Sequence, residues 1–170
     1  MVYQNPDSAL NPRQTITEII AEPLINFQVI GRSHIKSRVA ELLEQVRLPA
    51  EVATWRPAEL SGGQRQRVAI ARALASGAET LVLDEALSAL DVLTQETILE
   101  LLDDLQRTRG LTYIFISHDL HVVERIADHV AVMPQGRIVE TGTAEEIFNN
   151  PQHPYTIQLL EARPGEVLLA

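Results

Sequence analysis

Apolar positions along this 170-residue chain follow two periods. Up to residue 75 they recur at three- and four-residue intervals, the spacing of one helix face. Thr15 and Glu18 form a capping-box pattern that opens a short helix, which Pro23 must end or kink. Gly31 breaks the chain, and Ser33 is placed to cap a second helix. Ile35, Val39, Leu42 and Val46 share one face of it, and Pro49 stops it. Trp55 reads as a buried packing residue. A third helix follows Ser61-Gly62-Gly63-Gln64, with Val68, Ala71, Leu74 and Ala75 on one face. Residues 11–75 therefore predict a run of helices without a strand. Beyond them the period changes. Leu81-Val82-Leu83 and Tyr113-Ile114-Phe115-Ile116 are continuous apolar runs, typical of strands buried on both faces. Between them residues 92–107 return to helical spacing, with Ile98, Leu101, Leu102 and Leu105 inward and Gly110 placed to terminate the helix. A short helix at 120–127 leads to a strand at 129–133. A turn at Pro134-Gln135-Gly136 and a return strand at 137–140 predict a hairpin. Thr143 and Glu146 form a further capping box.

Composition narrows the class. Apolar residues are 45% and charged residues 22%, ordinary for a globular chain. There is no cysteine, which excludes disulfides and thiolate metal sites. No stretch reaches the roughly 20 apolar residues that span a bilayer, and no signal pattern opens the chain, so a soluble, cytosolic chain is expected. Net charge is −9, which argues against a surface built for nucleic acid. Arg65, Arg67 and Arg72 form a local basic cluster after the glycine pair. For Arg67 and Arg72 a solvated helix face explains the charge equally well.

Two pieces of phosphate chemistry lie about twenty residues apart. Ser61-Gly62-Gly63-Gln64 puts a hydroxyl and two glycines at a helix start, where bare amides and the helix dipole favour a phosphate. Asp84-Glu85 ends a buried strand, where open α/β sheets keep their sites. There one carboxylate can hold Mg²⁺ through its water shell while the other orients or deprotonates an attacking water. Alone, the first is an ordinary turn before a helix and the second an ordinary acidic helix start. Their order and spacing make coincidence a poor account of both. His118 stands at the end of the second apolar run, in Ser117-His118-Asp119, while His34, His121, His129 and His153 have only surface or structural settings.

In these residues the chain resembles the ATP-binding-cassette ATPases. Leu60-Ser61-Gly62-Gly63-Gln64 is similar to that family's signature motif, and residues 81–85 to its Walker B strand. Ser88-Ala89-Leu90-Asp91 is similar to the D-loop, and Ser117-His118-Asp119 to the switch-histidine loop. The Asn-Pro-rich stretch from Gln4 to Arg13 resembles the Q-loop of the branch that imports peptides and nickel, as do residues 147–160 its C-terminal end. The resemblance implies an α/β, P-loop NTPase-like domain that is incomplete, a helical subdomain plus part of the parallel core sheet. It divides the chain into residues 1–10 (strand end and Q-loop), 11–75 (helical subdomain), 76–140 (core sheet part) and 141–170 (C-terminal helices). It also implies ATP and Mg²⁺ as cofactors. Asp84 and Gln4 would serve the metal, Glu85 would act as general base, and His118 would contact the γ-phosphate. Ser61, Gly62, Gly63 and Gln64 would close on a phosphate held by a second nucleotide-binding subunit, with Asp91 at that interface. Transmembrane permease subunits would be the other partners, at the inner face of the membrane, with no nucleic acid.

One family element has no counterpart. A Walker A loop needs Gly-x-x-x-x-Gly-Lys-Ser/Thr. The single lysine, Lys36, precedes Ser37, but Ile30 and Ile35 occupy the glycine positions. Met1-Val2-Tyr3 reads as the tail end of a strand, so the chain is expected to be the C-terminal two-thirds of a nucleotide-binding domain and inactive alone. The absent strand would lie between 112–116 and 129–133. Two other functions compete: a cassette ATPase without a membrane partner, and a non-catalytic remnant. Where the family commonly has Pro-Thr after Asp84-Glu85, this chain has Ala86-Leu87, and a local packing difference is expected.

Overall fold

Thr15 begins the first described helix, α1 (Ile16–Asn26), through the predicted reciprocal cap with Glu18. The computed structural model describes residues 1, 2 and 10–163, and its contacts divide the chain into two compact units, Met1–Ile116 and Ser117–Ala170. In the first unit α1 is followed by α2 (Ile35–Gln45) and α3 (Gly62–Ala75). All three pack on one another through Ile16, Ile19, Ile20 and Leu24 of α1, Val39, Leu42 and Leu43 of α2, and Val68, Ile70 and Leu74 of α3. Burying that much aliphatic surface is the main stabilising term. It also explains Pro23. Of the expected stop or kink, the stop does not occur, because buried residues on both sides of Pro23 carry α1 on to Asn26. Ser33 does not cap α2; its hydroxyl lies 3.1 Å from the His34 ring, and a 3₁₀ turn, Arg32–His34, leads in instead. Lys36 is exposed on α2, as its place on an amphipathic helix requires. Trp55 is half-buried rather than buried, and its carbonyl accepts from the amide of Ile16 at 2.9 Å.

The basic cluster turns inward. Arg65 donates to the Leu60 carbonyl at 2.6 Å, Arg67 to the Arg47 carbonyl at 3.3 Å, and Arg72 to Glu22 at 2.9 Å. Arg47, in the left-handed region at φ 56°, ends the α2 turn and pairs with Asp104 and Glu100.

β1 (Thr80–Asp84) and β2 (Thr112–Ile116) pair in parallel, joined by α4 (Val92–Arg109), which Gly110 ends at φ 65° as expected. Val2 adds a parallel bridge to Leu83 on the other side of β1, which accords with the strand end read at the start of the chain. The register puts Leu81 beside Tyr113 and Leu83 beside Phe115 on one face, with Val82 beside Ile114 on the other. The Tyr113 hydroxyl donates to the Leu102 carbonyl at 2.8 Å, which locates α4 over the first face. The second face departs from the predicted two-sided burial: Ile114 is 52% and Ile116 48% exposed.

The second unit holds α5 (Leu120–Ile126), a hairpin of β3 (His129–Val132) and β4 (Glu140–Thr143), α6 (Ala144–Asn149) and α7 (Pro154–Glu161). The hairpin is antiparallel as expected, but β4 starts at Glu140 rather than 137, because a 3₁₀ turn at Pro134–Gly136 lengthens the connection. The Glu140 carboxylate accepts from the amides of Gln152 at 2.7 Å and His153 at 3.1 Å, fixing the approach to α7. No helix among the described residues is long and apolar enough to cross a membrane.

Three helix caps carry a pH dependence. Backbone amides of Thr15, Thr94 and Thr143 donate to the carboxylates of Glu18, Asp91 and Glu146 and hold them below the ordinary range. A depressed folded-state pKa gives stability that is full above the unfolded value and lost as pH falls through the folded one. The melting temperature should therefore hold from pH 7 to about 4 and drop below that. Replacing Glu18 and Glu146 with Gln, which keeps an acceptor for the amides but does not titrate, should flatten the drop in a thermal melt series; an unchanged profile would show that these caps do not govern it.

Candidate functional site

A helix start leaves four amides without intrahelical partners. At α3, Ser61 settles one of them with its side chain and, with its carbonyl, accepts the first bond within the helix. Its hydroxyl accepts from the Gln64 amide at 3.3 Å, and its carbonyl accepts from the Arg65 amide at 2.9 Å. The Gln64 side chain returns the contact, its oxygen accepting from the Ser61 amide at 2.9 Å. Ser61 and Gln64 thus brace each other, while the Gly62 and Gly63 amides keep no partner within the turn. Ser61 O–H and the Gln64 side-chain nitrogen stay available to donate. The step therefore offers donors to an anion at the positive end of a 14-residue helix.

Gly63 is also required by what lies behind it. A Cβ built on Gly63 would stand 2.5 Å from the Thr94 methyl, and one on Gly62 3.4 Å from Leu90. The turn of α3 thus rests on residues 90–94, bringing together two segments that the sequence separates by nearly thirty positions. Thr94 is committed there, since its amide and hydroxyl donate to Asp91 at 2.9 and 2.8 Å. Asp91 is the N-cap of α4. Nothing in the expected motifs singled out Thr94, although Asp-x-x-Thr at a helix start is a readable cap pattern.

Asp84 ends β1, its amide donating to the Val2 carbonyl at 2.9 Å. Glu85 has φ 47°, a left-handed conformation that a non-glycine residue rarely takes and that tends to gather at functional sites. Three bonds hold it there. Its amide donates to the Ile116 carbonyl at 2.8 Å, and its carbonyl accepts from the Ser88 amide at 3.1 Å and the Ser88 hydroxyl at 2.9 Å. The following Ala86 and Leu87 are 2% and 3% exposed, and the Leu87 carbonyl accepts from Gln95 at 3.0 Å. The residues that replace the family's Pro-Thr are therefore packed into the core.

His118 lies in the second unit, in the loop before α5. Ser117 Oγ accepts from the Asp119 amide at 3.0 Å, and the Asp119 carboxylate caps α5 through the amides of His121 and Val122. Gln4 lies outside the described residues. No group of three or more His, Asp or Glu suited to a metal ion exists among the described residues.

Gly63→Ala should collide with Thr94 and lower the melting temperature, whereas Gly63→Ala with Thr94→Ser, which removes the methyl, should recover most of the loss. A melt comparison of wild type, single and double variants checks this; equal losses in both variants would show that the methyl is not the obstacle.

The ABC transporter family model matches residues 1–88, and the model for the C-terminal region of oligopeptide/dipeptide transporters matches residues 139–166. The chain is 51% identical over 164 residues to the dipeptide transport ATP-binding protein DppF of Haemophilus influenzae, covering 96% of this chain and 50% of DppF. It is 47% identical to the oligopeptide transport ATP-binding protein OppF of Lactococcus lactis (97% and 52% covered) and 52% identical to the glutathione import ATP-binding protein GsiA of Escherichia coli (96% and 26%). The chain spans about half, or less, of the length of these relatives. Among solved structures it resembles cbiO1 of Clostridium perfringens, part of the transporter complex cbiONQ, with TM-score 0.78 at 30% identity, covering 88% of this chain and 58% of that one. It also resembles the dimeric, post-hydrolysis ATP-binding cassette MJ0796 bound to ADP and Pi, with TM-score 0.70 at 31% identity, covering 84% and 62%. A capped glycine turn seated against an Asp91-capped helix, a parallel strand ending in Asp84-Glu85, and matches over nearly the whole chain lead to one conclusion: this chain belongs to the ABC transporter family, in its ATP-binding part.

Proposed function

We propose that the chain is the Q-loop-to-tail portion of an ATP-hydrolysing subunit that drives import of peptides or related solutes. It would work as a pair with a second nucleotide-binding subunit, beneath membrane-spanning permease subunits at the inner face of the cell membrane. The observation that carries this is Glu85, held at positive φ by three bonds immediately beyond Asp84 at the end of a parallel strand. Such strain is kept where a side chain must be aimed. The importer assignment is supported by the peptide and glutathione transport proteins among its relatives and by the match of residues 139–166.

Asp84 alone is a poor cage for a metal but suits Mg²⁺, which keeps most of its water and takes one or two carboxylates plus phosphate oxygens. When bound, Mg-ATP supplies the phosphoryl group that water attacks. Glu85 takes the proton from that water at a carboxylate oxygen. Ser61 O–H, the amides of Gly62 and Gly63, and the Gln64 side chain donate to a terminal phosphate held by the second subunit. His118 and Gln4 take the γ-phosphate and metal roles that their motifs imply, and Asp91 stands at the subunit junction.

In the whole subunit, Glu85→Gln should keep Mg-ATP binding and reduce turnover by about 10²–10⁴-fold, the usual share of a general base. Turnover near the wild-type rate in that variant would remove Glu85 from the role. The 170-residue chain itself, lacking a Walker A lysine and loop, should show no hydrolysis and only weak heat on titration with Mg-ATP. Micromolar affinity there would mean that another part of this chain holds the triphosphate.

A further inference from the structure

Gln66 lies one turn into α3 and is 1% exposed, yet neither its amide nitrogen nor its amide oxygen has a hydrogen-bond partner. An unpaired buried amide is costly and uncommon in native interiors. Its neighbours on the same helix are bonded: Gln64 to Ser61, Arg67 to Arg47, Arg72 to Glu22. Gln66 follows Gly62 and Gly63 by four and three residues, which places it on their side of the helix. That side meets Leu90 and Thr94. The segment opposite, residues 85–91, is a chain of turns. It is held by bonds from Ser88 to Glu85, from Leu90 to Leu87 and from Gln95 to Leu87, and it begins at the strained Glu85. Peptide groups in such turns can re-pair at modest cost, and the helix side that carries Gln66 is the side on which Gly62 approaches Leu90. A protein with two arrangements shows an unpaired group in one when the other satisfies it.

We propose that Gln66 is a positioning residue. In a second arrangement of the 85–91 turns, adopted when nucleotide is held, its amide bonds their backbone. Closure of the glycine turn is thereby tied to the placement of Glu85. The assignment rests on the ATPase function proposed above. It differs from the phosphate contacts of Ser61-Gly62-Gly63-Gln64 in that Gln66 touches no ligand.

The test compares wild type with Gln66→Met, which keeps shape and removes the amide, in the whole ATP-binding subunit. Without nucleotide, the variant should melt about 2–4 °C higher, because the unpaired amide is gone. With Mg-ATP, kcat should fall about tenfold while KM changes by less than about twofold, the signature of an interaction absent from the ground state. A residue that merely packs would move stability and turnover in the same direction. A variant that melts lower, or fails to fold, would show the amide already paired and overturn the proposal, as would an unchanged kcat. Absence of Mg-ATP turnover in the wild-type subunit would instead sink the ATPase function, and the role of Gln66 with it.

Discussion

The start of α3 must be capped and left open at once, and much of the first unit follows from that. Four amides need partners at any helix start. The Ser61 hydroxyl satisfies that of Gln64, and the Ser61 amide is taken by the Gln64 side chain, so the turn is rigid without being closed. A side chain at 63 would obstruct the packing behind the turn. The absent Cβ at 63 is what allows α3 to lie on the first turn of α4. Anchoring comes from elsewhere. The α1 and α2 faces pack against the apolar side of α3, and the half-buried Arg67 and Arg72 bond to α2's end and α1.

The second fixed point is the end of β1. Parallel pairing with β2 continues past the strand through the Glu85 amide and the Ile116 carbonyl, which sets where the backbone turns. Ala86 and Leu87 then dive into the core, and the Gln95 side chain holds the Leu87 carbonyl. Helix α4 is thus tied to the carboxylate turn by Gln95 and to the glycine turn by Thr94, two adjacent residues serving different segments.

What was legible in the sequence was local. The Thr15–Glu18 and Thr143–Glu146 boxes, the Gly110 terminator and the inward face of α4 all formed as read, because their causes lie within one or two turns of chain. The motif order, too, was plain enough to identify the family. Features set by tertiary packing were not legible. Pro23 stayed within α1 because burial on both sides outweighed a lost hydrogen bond. The apolar run at 113–116 spelled a strand covered on both faces, yet Ile114 and Ile116 lie exposed, since a run of apolar residues cannot say what covers it. The positive φ of Glu85 and the seat of Gly63 on Thr94 depend on segments far apart in sequence. The burial of Gln66 had one available signal, a lone amide on the helix face of two glycines, but its missing partners appear only in three dimensions.

Thr94 fills the space of an absent Cβ with its methyl group and, through its amide and hydroxyl, steadies Asp91. Positions 63, 91 and 94 therefore do not drift independently. Enlarging residue 63 is tolerable only with a smaller residue 94. A residue 94 without a hydroxyl deprives Asp91 of one of its two donors, and loss of the carboxylate frees Thr94 to choose another rotamer and enter the space at 63. Evolution at this corner is confined to paired steps, so the order in which substitutions arrive decides which of them can be accepted at all.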